Sequence, residues 1–249
     1  MSGTYHAYRP GAVDGAGLRI AIVDSGIAPG HPHVGSVEGG VSLVGENRDD
    51  TSDRLGHGTA VAAAVREKLP AATLVPIRVL DAQLATSARI LAEAITWAVN
   101  DGARLINLSL GTTNAVHMPL FESALALARE RGALVVSASG DGLVCWYPGS
   151  LPGVVGVTAD ADCPRFAIAV RQGALGPGLA ASPWPRPIPG VVTERNLSGV
   201  SFAVANATGL LGRLLATRPD LQDAAAVLHA IQGASTDGPP FIREDARSG

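Results

Sequence analysis

This chain of 249 residues contains few charged and few aromatic side chains and only two cysteines. Charged residues make up 16% of the sequence, and the formal net charge is −3. Because the basic residues are scattered, the chain lacks the positive patch by which proteins bind nucleic acid or an anionic membrane. We therefore expect that the chain does not bind nucleic acid. We expect it to recognise its partners through shape.

The sequence also lacks long hydrophobic runs. The first apolar stretch begins at Leu18 and is interrupted at Asp24, and no later run is long enough to span a bilayer. Cys145 and Cys163 are too few for a disulfide framework, although a single bridge between them stays open. These absences predict a cytoplasmic protein without a secretory signal or a membrane partner.

Apolar residues make up 47% of the sequence, and no internal repeat is present. A chain of this length and composition suits one large domain with a single core. We predict that this domain covers residues 18–233. Residues 1–17 form a short N-terminal extension in this interpretation, and residues 234–249 form a flexible C-terminal tail.

Short apolar runs alternate along the chain with longer segments of helical periodicity. This alternation predicts an α/β fold in three layers, with a mostly parallel central sheet and helices on both faces. The predicted strands are 18–23, 74–80, 105–110, 133–138, 154–158 and 167–170, and the predicted helices are 59–68, 88–100, 120–131, 201–217 and 221–232. In such folds, functional residues gather where strands end at the carboxyl edge of the sheet.

Ser201 stands where a small, flexible segment, Leu197-Ser198-Gly199-Val200, meets the start of a helix pattern. A hydroxyl there lies beside unpaired backbone N–H groups and the positive end of the helix dipole, which suits both a nucleophile and an oxyanion site. A serine in this place is also a common helix cap. Ser201 alone therefore does not decide between the two interpretations.

Two further residues occupy comparable places. Asp24 ends the first predicted strand, where an Asx turn is the simpler interpretation, and His57 lies between two glycines at a helix start, where a surface histidine is the simpler one. Together with Ser201, however, they give an aspartate, a histidine and a serine at one edge of one sheet. That set supplies an orienting group, a base and a nucleophile.

Five sequence blocks resemble those of the subtilisin-like serine proteases and occur in that family's order: IAIVDSGI, GHGTAVA, LINLSLG, YPGSLPGVVGV and SGVSFA. The resemblance implies an endopeptidase with Ser201 as nucleophile, His57 as general base and then acid, and Asp24 as the residue that fixes the imidazole tautomer. It also implies a cleft in which an extended peptide pairs with main-chain groups of the protein. The implied cleft residues are Ser109, Leu110 and Gly111 on one side and Leu80, Asp81 and Ala82 on the other.

The chain departs from the family's pattern in several places. Lys68 is followed almost directly by the next strand, where the family has a calcium loop, so we expect no metal and no cofactor. Val200 replaces the usual threonine before the serine, and Ala205 replaces a usual proline. Only residues 1–17 precede the first predicted strand, so we expect no pro-segment that assists folding.

The most consequential departure is Asp141. The family has an asparagine that donates to the oxyanion at this place, whereas this chain reads Ser139-Gly140-Asp141. An ionised carboxylate would repel the developing charge, so either Asp141 is held protonated and still donates, or turnover is slow. In the second case the oxyanion would depend on the N–H of Ser201 and a neighbouring donor such as Asn206.

Trp146 occupies the place that the resemblance assigns to the floor of the primary specificity pocket. It either enters this pocket and restricts cleavage to positions after small residues, or it packs in the core beneath. The Gly- and Pro-rich stretch 173–195 is expected to be a loop that frames the site.

Three functions follow as hypotheses. The first is a processing endopeptidase for a defined peptide, which is suggested by a resemblance of short stretches, among them residues 192–199, to subtilases that trim natural-product precursors of the cyanobactin type. The second is a general intracellular degradative protease. The third is a catalytically impaired fold that is kept as a peptide-binding module.

Overall fold

The computed structural model describes residues 5–8, 13–81, 83, 85–140, 144–173, 176–233 and 241–244. In this part of the chain, strands and helices alternate as the periodicity predicts. The strands are β1 (Tyr5–Tyr8), β2 (Arg19–Asp24), β3 (Val41–Ser42), β4 (Thr73–Arg78), β5 (Leu105–Leu108), β6 (Leu134–Ala138), β7 (Val155–Ala159), β8 (Ala167–Gly173), β9 (Gly176–Ala181) and β10 (Phe241–Glu244). The helices are α1 (His57–Lys68), α2 (Ala88–Asn100), α3 (Met118–Glu130), α4 (Val200–Thr217) and α5 (Ala224–Gln232), with short 3-10 turns at Ala115–His117 and Thr193–Arg195.

All of these strands belong to one sheet, in the order β10-β1-β8-β9-β7-β6-β5-β2-β4-β3. The pairs from β9 to β3 are parallel, and the pairs that involve β1 or β8 are antiparallel. The carboxyl ends of β2, β5 and β6 therefore lie next to one another at one edge. The candidate residues of the sequence follow these strand ends.

Side chains alternate between the two faces of the sheet, and each face is covered by helices. Ile20 and Ile22 of β2 belong to a core with α1, α4 and α5, whereas Ala21 and Val23 belong to a core with α2 and α3. A strand that is buried on both faces has no polar alternation, which is why β2 reads as a continuous apolar run. The predicted α/β fold with helices on both faces of a mostly parallel sheet is confirmed.

Helix α4 is the central helix of one outer layer. It is long and apolar enough to cross a membrane by length and composition, and 78% of it is buried inside the protein. Small residues let it approach α1 closely, since a Cβ added to Gly212 would lie 2.3 Å from a methyl carbon of Leu69. This close contact brings the C-terminal half of α4 against the end of α1, and Ser201 lies at the other end of the same helix.

Four strands were not predicted, and one of them corrects an expectation. β9 lies inside the stretch 173–195 that was expected to be a loop, and it pairs with both β7 and β8. Its residues include two glycines and a proline, and Gly178 is required because a Cβ there would lie 2.8 Å from the carbonyl oxygen of Gly156. β1 and β10 lie in the segments 1–17 and 234–249, and they pair with each other at the edge of the sheet.

Candidate active site

The structure brings Asp24 and His57 into direct contact. Asp24 ends β2 and is completely buried, and His57 is the first residue of α1. The Oδ1 atom of Asp24 lies 2.7 Å from Nδ1 of His57 and accepts a second hydrogen bond from the Ser25 N–H at 2.8 Å. Because an ionised carboxylate can only accept, Nδ1 of the imidazole is the donor, and the Nε2 lone pair is left for another partner.

The surroundings of His57 make the imidazole a stronger base. The hydrogen bond to Asp24 raises the pKa of His57 above its ordinary value, against an opposing effect of burial, and the charge of Asp53 acts in the same direction as Asp24. Oδ2 of Asp24 is buried and has no hydrogen-bond partner within the described residues. The imidazole is thus the main group that compensates this buried charge.

Two glycines make the contact between β2 and α1 possible. A Cβ on Gly58 would lie 2.1 Å from the carbonyl oxygen of Gly26. Gly26 itself has a φ of +105°, and a Cβ there would lie 2.4 Å from the carbonyl oxygen of Thr51. Side chains at these positions would push the histidine segment away from Asp24.

Ser201 is the second residue of α4, and its N–H is one of the first N–H groups of that helix, which have no partner inside it. Its Oγ lies 3.5 Å from the carbonyl oxygen of Ser109, at the weak limit of a hydrogen bond. The next residue, Phe202, places its ring 5.7 Å from the imidazole of His57. Within the described residues no hydrogen bond joins His57 to Ser201, and such contacts often form only when substrate is bound.

Main-chain groups on both sides of this edge are free to pair with a peptide. Leu80, Leu110 and Gly111 take part in no backbone hydrogen bond of the described residues. The carboxylate of Asp81 instead holds its own turn by accepting from the N–H groups of Gln83 and Ala85. Ala82 lies outside the described residues.

A cavity of about 830 Å³ begins beside Val200, the residue before Ser201. Ser139, Gly140 and Trp146 are among the residues that line it. Trp146 is 36% exposed, so it does not pack in the core. Its indole lies close to Gly111, whose added Cβ would be 3.6 Å from Cε3, and close to Gly140, whose added Cβ would be 3.1 Å from Cδ1.

Other expectations have different outcomes. Asp141 lies outside the described residues, so its predicted role stays a prediction. The prediction that Asn206 donates to the oxyanion is wrong, because its buried amide donates to the carbonyl oxygens of Ser182 and Trp184. Cys145 and Cys163 are both free thiols. Among the described residues, no group of three or more His, Cys, Asp and Glu side chains is arranged to hold a metal ion.

The amide of Asn206 belongs to a second polar cluster, which sequence reasoning missed. Lys68, the last residue of α1, is completely buried, and its Nζ donates to Oδ1 of Asn206 at 2.7 Å and to the Ala64 carbonyl oxygen at 3.3 Å. Nζ also lies 4.7 Å from the centre of the Phe166 ring. Burial lowers the pKa of Lys68 to about 7, although the nearby charge of Glu67 opposes this change.

Sequence reasoning also missed Asp53, which accepts hydrogen bonds from residues on both sides of the Asp24 and His57 contact. Its signal in the sequence was an acidic residue in a turn just ahead of a helix start, followed by Thr59. Such a residue is usually read as a helix cap.

Comparisons with known proteins agree with this geometry. The subtilase family model matches residues 15–242. Subtilisin Savinase of Lederbergia lenta is 32% identical over 208 residues, which cover 79% of this chain and 72% of that protein. Thermitase of Thermoactinomyces vulgaris is 30% identical over 214 residues, which cover 81% and 76%.

Among solved structures, a lanthipeptide protease has a similar fold, with a TM-score of 0.65 at 20% sequence identity over 90% of this chain and 82% of that one. The family match covers nearly the whole described domain, and the fold is the subtilisin-like fold that the sequence blocks implied. The chain therefore belongs to the subtilase family and is a subtilisin-like serine peptidase.

Proposed function

We propose that this subtilase is an endopeptidase that uses Asp24, His57 and Ser201 as its catalytic triad and processes a defined peptide. The observation that carries the proposal is the 2.7 Å contact between Asp24 and His57 next to the start of α4, where Ser201 lies. A serine hydroxyl is a poor nucleophile near neutral pH and needs such a base.

In the proposed reaction, Nε2 of His57 takes the hydroxyl proton while Oγ of Ser201 attacks the peptide carbonyl carbon. The imidazolium that forms is stabilised by Asp24, whose Oδ1 already accepts from Nδ1. His57 then gives the proton to the leaving amine, and an acyl-enzyme remains on Ser201. Water, activated by the same imidazole, releases the acyl group and restores the serine.

The negative oxygen of the tetrahedral intermediate requires donors at the start of α4. The N–H of Ser201 has no partner inside the helix, and the positive end of the helix dipole lies at the same place.

Asp141 is the second group that we propose at this position. A protonated Asp141 predicts that activity falls as pH rises through its titration, and that this fall is absent in Asp141→Asn. An ionised Asp141 predicts that Asp141→Asn raises turnover.

Substrate choice is proposed to depend on Trp146. Its indole lines the cavity together with Gly140 and lies close to Gly111, and the side chain before the scissile bond would enter this cavity. A bulky ring at this place restricts that side chain to a small one, which suits the processing of one peptide better than general degradation. Similarity of fold to a lanthipeptide protease is compatible with such a role.

The central experiment is labelling with a fluorophosphonate, which reacts with an activated serine. We expect labelling of the unmodified chain and none of Ser201→Ala. Absence of labelling in the unmodified chain would overturn the proposal and favour a peptide-binding module.

Specificity is tested with a peptide library and a set of unrelated unfolded proteins. The unmodified chain should cleave after small residues and leave most of the unfolded proteins intact, whereas Trp146→Gly should accept long and aromatic residues. Rapid digestion of every unfolded protein would instead favour a degradative protease. An unchanged preference in Trp146→Gly would exclude the proposed role of the indole.

A further inference from the structure

The carboxylate of Asp53 lies between the segment that follows Asp24 and the segment that carries His57. Its Oδ1 accepts from Oγ of Ser25 and from the N–H groups of Leu55 and Gly56, each at 2.9 Å. Its Oδ2 accepts from the N–H of Thr59 at 2.8 Å and from Oγ1 of the same residue at 2.6 Å. Five donors therefore converge on one side chain.

Two of these donors, Ser25 and Thr59, also accept a hydrogen bond from the opposite segment. Oγ of Ser25, which donates to Asp53, accepts from the N–H of Gly58 at 2.9 Å. Oγ1 of Thr59 accepts from the N–H of Ala28 at 3.0 Å. Two connections thus join the segment of His57 to the segment after Asp24: Gly58 to Ser25, and Thr59 to Ala28. Asp53 links the two connections, because it accepts from both Ser25 and Thr59.

We propose that Asp53 is a positioning residue, which holds His57 against Asp24 and presents a second negative charge to the imidazole. The inference rests on the proposed role of His57 as general base. Within the described residues, Asp53 makes no hydrogen bond to Ser201 or to the cleft, so it acts through Ser25, Gly58 and Thr59.

The negative charge of Asp53 acts on the imidazole of His57. Burial acts to raise the pKa of Asp53, but the hydrogen bonds from Thr59, Leu55 and Gly56 together lower it. The carboxylates that act on His57 are Asp24 at the end of β2 and Asp53 in the turn before α1. The neighbouring cation, Arg54, is turned away and pairs with Asp50 at 2.7 Å.

An asparagine cannot replace this carboxylate. Because donors face both oxygens of Asp53, an amide would always point its NH₂ group at other donors. Asp53→Asn therefore removes the negative charge, and it also loses either the hydrogen bonds that Oδ1 accepts or those that Oδ2 accepts from Thr59. Ser25→Ala breaks one connection and keeps the charge.

The test is the pH dependence of fluorophosphonate labelling, with the melting temperature measured in parallel. For Asp53→Asn we expect a loss of labelling rate of up to about a hundredfold, as for a small misplacement of a catalytic group. The acid limb of the profile should also move to lower pH by several tenths of a unit, because the imidazole loses a nearby negative charge. Ser25→Ala should lower the rate without moving the limb.

Asp49→Asn is the matched control, since Asp49 is an exposed carboxylate of the same loop, and no hydrogen bond among the described residues joins its side chain to this network. It should change neither the rate nor the limb. An acid limb in Asp53→Asn that coincides with that of the unmodified chain would overturn the proposal, even if the melting temperature falls. If Asp53→Asn does not fold, an unchanged labelling rate in Ser25→Ala overturns it, and a lower rate with an unmoved limb supports it.

Failure of this inference is distinguishable from failure of the proposed function. An unmodified chain that is never labelled contradicts the triad itself. Normal labelling of the unmodified chain with the same profile in Asp53→Asn contradicts the positioning role alone.

Discussion

Helix α1 begins at His57 and ends at Lys68, and the protein shifts the proton affinities of these two side chains in opposite directions. His57 has a side chain that is 33% exposed and contacts a buried carboxylate, so its pKa is raised. Lys68 has no exposed surface and a neutral amide as its closest acceptor, so burial lowers its pKa to about 7. One end of the helix opens to the cleft, and the other is closed by α4 and Phe166.

The direction of both shifts shows which physical effect dominates. The dipole of a helix disfavours a cation at the first residue and favours one at the last, by roughly 0.3–1 kcal/mol at each end. His57 and Lys68 shift against the dipole in both cases. Contact with Asp24 and complete burial are therefore the stronger effects, since full burial alone can shift a pKa by about 3–5 units.

The largest expected effect is at the open end of α1. Ser201→Ala and His57→Ala should each remove nearly all peptide cleavage, and the double variant should be scarcely worse than either, because the two side chains act as one unit. Cleavage rates of the three variants test this expectation. Losses that add in the double variant would contradict the assignment.

The second largest expected effect is that of replacing Asp24, the hydrogen-bond partner of His57. Asp24→Asn should lower turnover by about ten-thousandfold, because the amide favours the wrong imidazole tautomer. The measurement is the rate of peptide hydrolysis under saturating substrate. Lys68→Met, a change at the opposite end of the same helix, should retain turnover within a few-fold and serves as its control.

At the closed end, the expected effect is on stability. Between pH of about 7 and 10.5, Lys68 is neutral in the folded chain but protonated in the unfolded chain, so the unfolded state binds more protons. The free energy of unfolding should therefore rise with pH across this window, by up to several kcal/mol. Lys68→Met should lose that rise.

Urea unfolding at a series of pH values measures this slope. Lys68→Met also loses the hydrogen bond from Nζ to Asn206, which lowers its stability by about 1–3 kcal/mol, so the difference at a single pH combines this loss with the proton effect. The slope, and not the stability at one pH, is thus the diagnostic quantity. Identical slopes for both proteins would mean that Lys68 keeps its proton when folded.

The smallest expected effect concerns Glu67, whose Oε2 lies 3.5 Å from Nζ of Lys68. Its negative charge raises the pKa of the lysine, so Glu67→Gln should lower this pKa further. The pH at which stability begins to rise should then move downward by less than a unit. The same urea series detects the change, and a shift to higher pH would show that Glu67 does not act on Lys68 in this way.

Local sequence patterns predicted most of the architecture. Helix 88–100 was predicted with both correct ends, because its apolar face has a clear period. Strand 18–23 was predicted within one residue of β2, since a run such as LRIAIV is apolar without interruption. Asp24, His57 and Ser201 could be proposed because each stands at the end of a predicted element, with a glycine no more than two residues away.

Features that depend on distant residues were not predicted. β9 contains glycine, proline and alanine, which have low strand propensity, and it is a strand because β7 and β8 pair with it on both sides. The pairing of Lys68 with Asn206 joins residues that are 138 positions apart. No periodicity in either segment indicates that contact, and Asn206 was consequently assigned to the wrong site.

Trp146 also has an optical consequence. The protein has three tryptophans, and this one lines the cavity and is 36% exposed. A peptide side chain that enters the cavity displaces water from the indole, so the emission of Trp146 should shift to shorter wavelength on binding. In Ser201→Ala, which cannot turn over its ligand, intrinsic fluorescence would thus report peptide affinity directly, without any attached dye.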